Sequence, residues 1–134
     1  MSKDVQLRMV YNNVPKITAA MPGKVRAVIE KTLKNIDETV KESMREEKSG
    51  ATYVRGGKVH IASAPGEPPA IDTGVLVNSL FYRMENNYLG IYGTNELHGL
   101  VLEFGGRKVA PRPWLKPALD ANRDSFERAM EGLL

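Results

Sequence analysis

Four groups of residues in this chain carry side chains capable of chemistry. Asp72-Thr73-Gly74 matches the tripeptide that aspartic proteases use. That chemistry takes two carboxylates sharing one proton across a dimer axis, so that one ionises and the other does not. A chain of this length would supply one of the two. Such a tripeptide should follow an apolar strand, and here it follows Pro65-Gly66-Glu67-Pro68-Pro69-Ala70-Ile71. Three-residue matches also arise often by chance. A more economical reading has Asp72 or Thr73 accepting from the backbone at the start of a helical turn, with Gly74 permitting the bend. Glu103, just before Phe104-Gly105, is a single carboxylate that either acts in catalysis or pairs with Arg107 or Arg112. His60 and His98 are far apart in sequence and lack partners at metal-ligand spacing. The last group is basic: Arg107, Lys108, Arg112 and Lys116, either a solvated loop or a collar facing an acidic partner or a phosphate backbone. Gly105-Gly106-Arg107-Lys108 has neither the spacing nor the hydroxyl of a phosphate-binding loop. No serine has a histidine in a recognisable triad context.

Most of these residues lie in or beside two irregular segments. The first runs from Ala64 to Gly74 and holds Pro65, Pro68 and Pro69. The second runs from Leu102 through Gly105-Gly106-Arg107 to Leu119 and holds Pro111, Pro113 and Pro117. Proline removes a backbone donor and fixes φ, so neither segment continues as a helix or a central strand. A compact chain that keeps two such stretches uses them to contact a partner or to carry chemistry. Trp114, the only tryptophan, is either core or an interface anchor whose docking the flanking prolines make less costly in entropy.

The elements that position these segments follow from periodicity. Val5, Leu7, Met9 and Tyr11 alternate with polar residues, the pattern of a half-buried strand. Roughly from Pro22 to Lys48, the apolar positions Met21, Val25, Val28, Ile29, Leu33, Ile36, Val40 and Met44 form one helical stripe, with Ser49-Gly50 as the stop. Thr52–Arg55 and Lys58–Ile61 flank Gly56-Gly57 as a hairpin, and little apolar surface backs it. A short helical turn holds Val75, Leu76 and Leu80. A second hairpin pairs Leu80–Glu85 with Tyr88–Gly93 around Asn86-Asn87, a short helix spans Leu97–Phe104, and an amphipathic helix runs from Lys116 to Leu134. The expected fold class is α+β over residues 1–134 as one domain. A small antiparallel sheet packs against one long helix, with a C-terminal helix and two Pro/Gly-rich loops. Such a thin core beside a long, half-apolar helix points to an oligomer.

Composition narrows the function classes. The 134 residues carry a net charge of +3, with 42% hydrophobic and 26% charged residues, the balance of a globular chain. The charge is too mild for a dedicated DNA binder, and the long helix mixes signs, with Glu30 and Lys34, then Asp37 and Lys41, four apart. The absence of cysteine excludes disulfides and thiolate metal sites. No apolar run reaches the roughly 20 residues of a membrane helix, and no signal-peptide core follows the polar start. No cofactor is expected.

Two motifs carry a resemblance. Ala64-Pro65-Gly66-Glu67-Pro68-Pro69-Ala70-Ile71-Asp72-Thr73-Gly74-Val75-Leu76, with Ser79-Leu80 following, resembles the central motif of the tail-component proteins of long-tailed phages and prophages. Leu102-Glu103-Phe104-Gly105, with Ala110-Pro111-Arg112-Pro113-Trp114-Leu115-Lys116-Pro117-Ala118-Leu119, resembles that family's closing motif. The order agrees, and the resemblance covers most of the chain. It departs at Gly106, where the family usually has threonine, and at Trp114, where it often has phenylalanine. The resemblance implies a non-enzymatic tail-completion or head–tail joining protein. Its place would be the virion neck, after assembly in the host cytoplasm. Related neck proteins form rings, commonly sixfold, around the channel through which DNA passes without sequence-specific binding. On that reading the two loops are arms that reach neighbouring subunits or other neck and tail proteins. Pro65, Pro68, Pro69, Asp72, Glu103, Phe104, Arg107, Arg112 and Trp114 are the candidate interface residues. The alternative is a small hydrolase using Asp72 or Glu103, and a third class is a DNA-binding module using the basic collar.

Overall fold

A computed structural model describes residues 20–72 and 74–133. The strand expected over Val5–Tyr11 lies outside the described residues, as does Thr73. The fold is α+β: helix α1 (Met21–Arg45), hairpin β1 (Thr52–Arg55) and β2 (Lys58–Ile61), short helix α2 (Val75–Ser79), hairpin β3 (Leu80–Asn86) and β4 (Leu89–Thr94), helix α3 (Leu97–Phe104) and helix α4 (Lys116–Glu131). Among the described residues the strands form two separate two-stranded antiparallel sheets rather than one.

The stripe on α1 is the spine of the core. Val25, Ile29, Leu33, Ile36, Val40 and Met44 are all buried, at spacings of three and four that keep them on one face. Each fully buried side chain of this kind contributes about 1.5–3 kcal/mol. Pro22 stands in the first turn, where its missing N–H costs nothing. The helix ends at Arg45, three residues before the expected Lys48. Glu46 is already extended, and the charged run Glu46-Glu47-Lys48 offers no apolar side chain to continue the stripe. The Lys48 ammonium donates to the Ser43 carbonyl instead, satisfying a last-turn acceptor.

One side of the stripe packs on α4, through Phe126 and Met130, and the other on β3 and β4. Asn122 of α4 donates to the Thr39 hydroxyl of α1, and Tyr92 of β4 donates to Asp37, which also holds Lys41. Burial and the Asp37 carboxylate push the Tyr92 phenol well above its usual range. β4 approaches so closely that a Cβ at Gly90 would stand 2.7 Å from both Ile29 and Leu33. In the second hairpin, Asn86 pairs with Leu89 across a register irregularity between Met84 and Asn86. The turn is therefore Asn87-Tyr88, one residue later than expected, and the Asn86 carboxamide accepts from the Tyr88 amide.

The first hairpin has no such backing. Gly56 and Gly57 both take positive φ, as the tight turn requires, and Val54 and Val59 are 70% and 68% exposed.

Candidate functional site

The two irregular segments lie together in the fold. They are tied to each other. The Gly66 amide donates to the Pro111 carbonyl at 2.9 Å, and Arg112 Nε donates to the Ser63 carbonyl at 3.1 Å. Proline leaves carbonyls free of ladder pairing, and here a donor of each segment meets a carbonyl on or beside the other.

Each segment is also closed by a carboxylate. Glu67 accepts from the amides of Ala64 at 2.9 Å and Ser49 at 3.1 Å, and from the Ser49 hydroxyl. Hydrogen bonding by the Ser49 hydroxyl, then by the Ala64 and Ser49 amides, lowers its pKa from 4.5 to about 2. Gly66, at φ +86, lets the chain reverse so that Glu67 faces back toward Ala64. The close approach at the hairpin base depends on Gly50, whose added Cβ would stand 2.5 Å from the Ala62 carbonyl.

Glu103 closes the second segment. It is buried, and its two oxygens accept from the amides of Trp114 at 2.7 Å, Leu115 at 2.9 Å and Lys116 at 2.9 Å. These are orphan donors at the start of α4, where the helix dipole also favours an anion. The expected pairing of Glu103 with Arg107 or Arg112 does not occur; backbone amides brought round by the loop take its place. Trp114 is 1% exposed, and its indole N–H donates to the Gly99 carbonyl at 2.8 Å. Of its two readings, core is the one the structure supports. Gly99 leaves room for the ring, since a Cβ there would lie 2.7 Å from Thr94 and 3.3 Å from Trp114.

The basic collar is divided. Arg112 is turned inward to Ser63 and Ala110, and Lys116 pairs with Asp120 at 2.7 Å. Lys116 also lowers the pKa of Asp120. Arg107 and Lys108 remain exposed, on a tight turn closed between Gly106 and Val109. Of the remaining candidates, Pro69 is buried, Pro68 half-buried, and Pro65, Asp72 and Phe104 exposed.

Asp72 lies 3.9 Å from His60 Nδ1 and shares with His98 the rim of a cavity of about 80 Å³. The sequence placed neither histidine beside it. The cavity is otherwise lined by Met44, Leu76, Leu102 and their neighbours, and among the described residues no hydroxyl or thiol lines it. Among the described residues no nucleophile stands beside this carboxylate. Among the described residues no cluster of three or more His, Cys, Asp or Glu could hold a metal ion, and no helix is long and apolar enough to cross a membrane.

Sequence reasoning passed over one further surface. On α3, Leu97, Leu100, Val101 and Phe104 fall within about a third of the helix circumference, opposite the buried Gly99, Leu102 and Glu103. Leu97 is 63% and Phe104 69% exposed. The signal was present in the spacing, but the helix is short and its carboxylate, Glu103, lies on the buried side, so polarity does not mark which side faces solvent. Scans against family models and searches of curated proteins and of solved structures found no match to this chain.

Proposed function

We propose that the chain is a structural subunit of a tailed-phage or prophage virion, joining or completing the tail at the head–tail interface as a ring around the DNA channel. The two motifs that resemble tail-completion proteins support this reading. The observation that carries it is the use the geometry makes of them. Glu67, Glu103 and Arg112 hold backbone amides and carbonyls in the linked loops. The same frame leaves large apolar side chains outside on the first hairpin and on α3. A chain of this size that fixes irregular backbone with its carboxylates and turns Phe104, Leu97, Val54 and Val59 to the surface is organised for contact with other proteins.

The decisive experiment disrupts the gene in the genome that encodes it. The expected outcome is DNA-filled heads and complete tails that fail to join, restored by the chain supplied in trans. Normal joined particles would overturn the reading.

A further inference from the structure

An open groove of about 610 Å³ lies between the end of α1, strand β2 and the first proline-rich segment. Its floor is apolar, with Met44, Val59, Ile61 and Ile71, and its rim carries Glu46 and Glu47. Arg45 and Lys48 stand on the same rim and keep their charges; the Lys48 ammonium donates to the Ser43 carbonyl and helps the Ser49 hydroxyl lower the pKa of Glu67, so the anions open to a partner there are Glu46 and Glu47. The corner after α3 has the converse composition. Phe104 and Val109 are exposed apolar side chains, and Arg107 and Lys108 between them are exposed cations. Among the described residues none of Glu46, Glu47, Arg107 and Lys108 has an ion-pair partner. The two surfaces share no residue.

We propose that the groove of one copy receives the Phe104–Val109 corner of the next copy. Phe104 and Val109 cover Ile61, Val59 and Ile71, while Arg107 and Lys108 face Glu46 and Glu47. The contact is heterologous, because each copy offers a groove to one neighbour and a corner to the other. Repetition of such a contact closes a ring when the rotation per step permits. The inference rests on the ring reading above and names the surfaces that would build the ring.

The test is charge reversal on each side. One variant carries Glu46→Lys and Glu47→Lys, the other Arg107→Glu and Lys108→Glu. All four positions are exposed, so both variants should keep the circular dichroism and thermal unfolding of the parent. Mass is measured by light scattering over a concentration series. The parent is expected to self-associate, and each variant alone to do so about a hundredfold more weakly or worse, since like charges then face each other. An equimolar mixture is expected to assemble again, because each groove then meets an oppositely charged corner in alternating order. A parent that stays monomeric throughout overturns this contact, while the gene-disruption phenotype still decides the joining role. Variants that assemble like the parent, or a mixture that fails to recover, also overturn it.

Discussion

Glu67 and Glu103 do the same job in different surroundings. Each closes a proline-rich segment by accepting from backbone amides, Glu67 from those of Ser49 and Ala64, Glu103 from those of Trp114, Leu115 and Lys116. Glu67 works at the surface, beside water that can replace it. Glu103 is 8% exposed, and an amide it abandoned would be left largely shielded from water. The difference teaches that a carboxylate's importance here is set by what happens to its donors when it leaves, not by how many bonds it makes.

The sharpest way to break this comparison is Glu103→Ala. Three amides at the start of α4 lose their acceptor, and we expect a loss of about 3 kcal/mol or more, read as the urea-unfolding free energy. A loss below about 1 kcal/mol would mean that water reaches the site and that the two carboxylates are equivalent after all. Next comes Arg112→Ala, which cuts one of the two links between the segments at the Ser63 carbonyl. It should cost about 1 kcal/mol in the same measurement.

Glu67→Gln comes third, and its effect depends on pH. The folded-state pKa of Glu67 lies below its ordinary value, about 2 against 4.5. Its contribution is therefore complete above about 4.5 and is lost as pH falls through about 2. The difference in urea midpoint between parent and variant should be largest near neutrality and should close on acidification. A difference that widens in acid would show that the loop is not held by the ionised carboxylate. The smallest effect belongs to Asp72→Asn, an exposed position expected to change stability by less than about 0.5 kcal/mol. Loss of a peptide-hydrolysing activity in that variant, with folding intact, would favour the hydrolase reading instead.

The sequence made the regular elements legible because their spacing is local. The α1 stripe, both glycine- or asparagine-marked hairpins, α3 and the start of α4 stand close to where periodicity places them. The turn of the second hairpin slipped by one residue because the irregularity at Glu85 is a property of the paired strands, invisible in either alone. The two hairpins also have similar signatures and opposite fates. β3–β4 is claimed by α1, whereas β1–β2 keeps Val54 and Val59 in solvent. The candidate site was less legible, since its key links join residues far apart. Glu103 meets amides 11 to 13 positions away, and Arg112 meets a carbonyl 49 away. Adjacency in sequence suggested an arginine for Glu103; the fold supplied a helix end. Glu67 itself was readable only as part of a motif, because its donors include Ser49, 18 residues earlier.

The chain has one tryptophan, and its indole is sealed between α3 and the start of α4 with its N–H on Gly99. Intrinsic fluorescence excited at the indole therefore observes a single place, the closure of the second segment. Opening of that clasp should shift the emission to the red, while docking at the exposed groove or corner should leave its wavelength nearly unchanged. The molecule thus carries an optical label that separates folding of its linked loops from assembly.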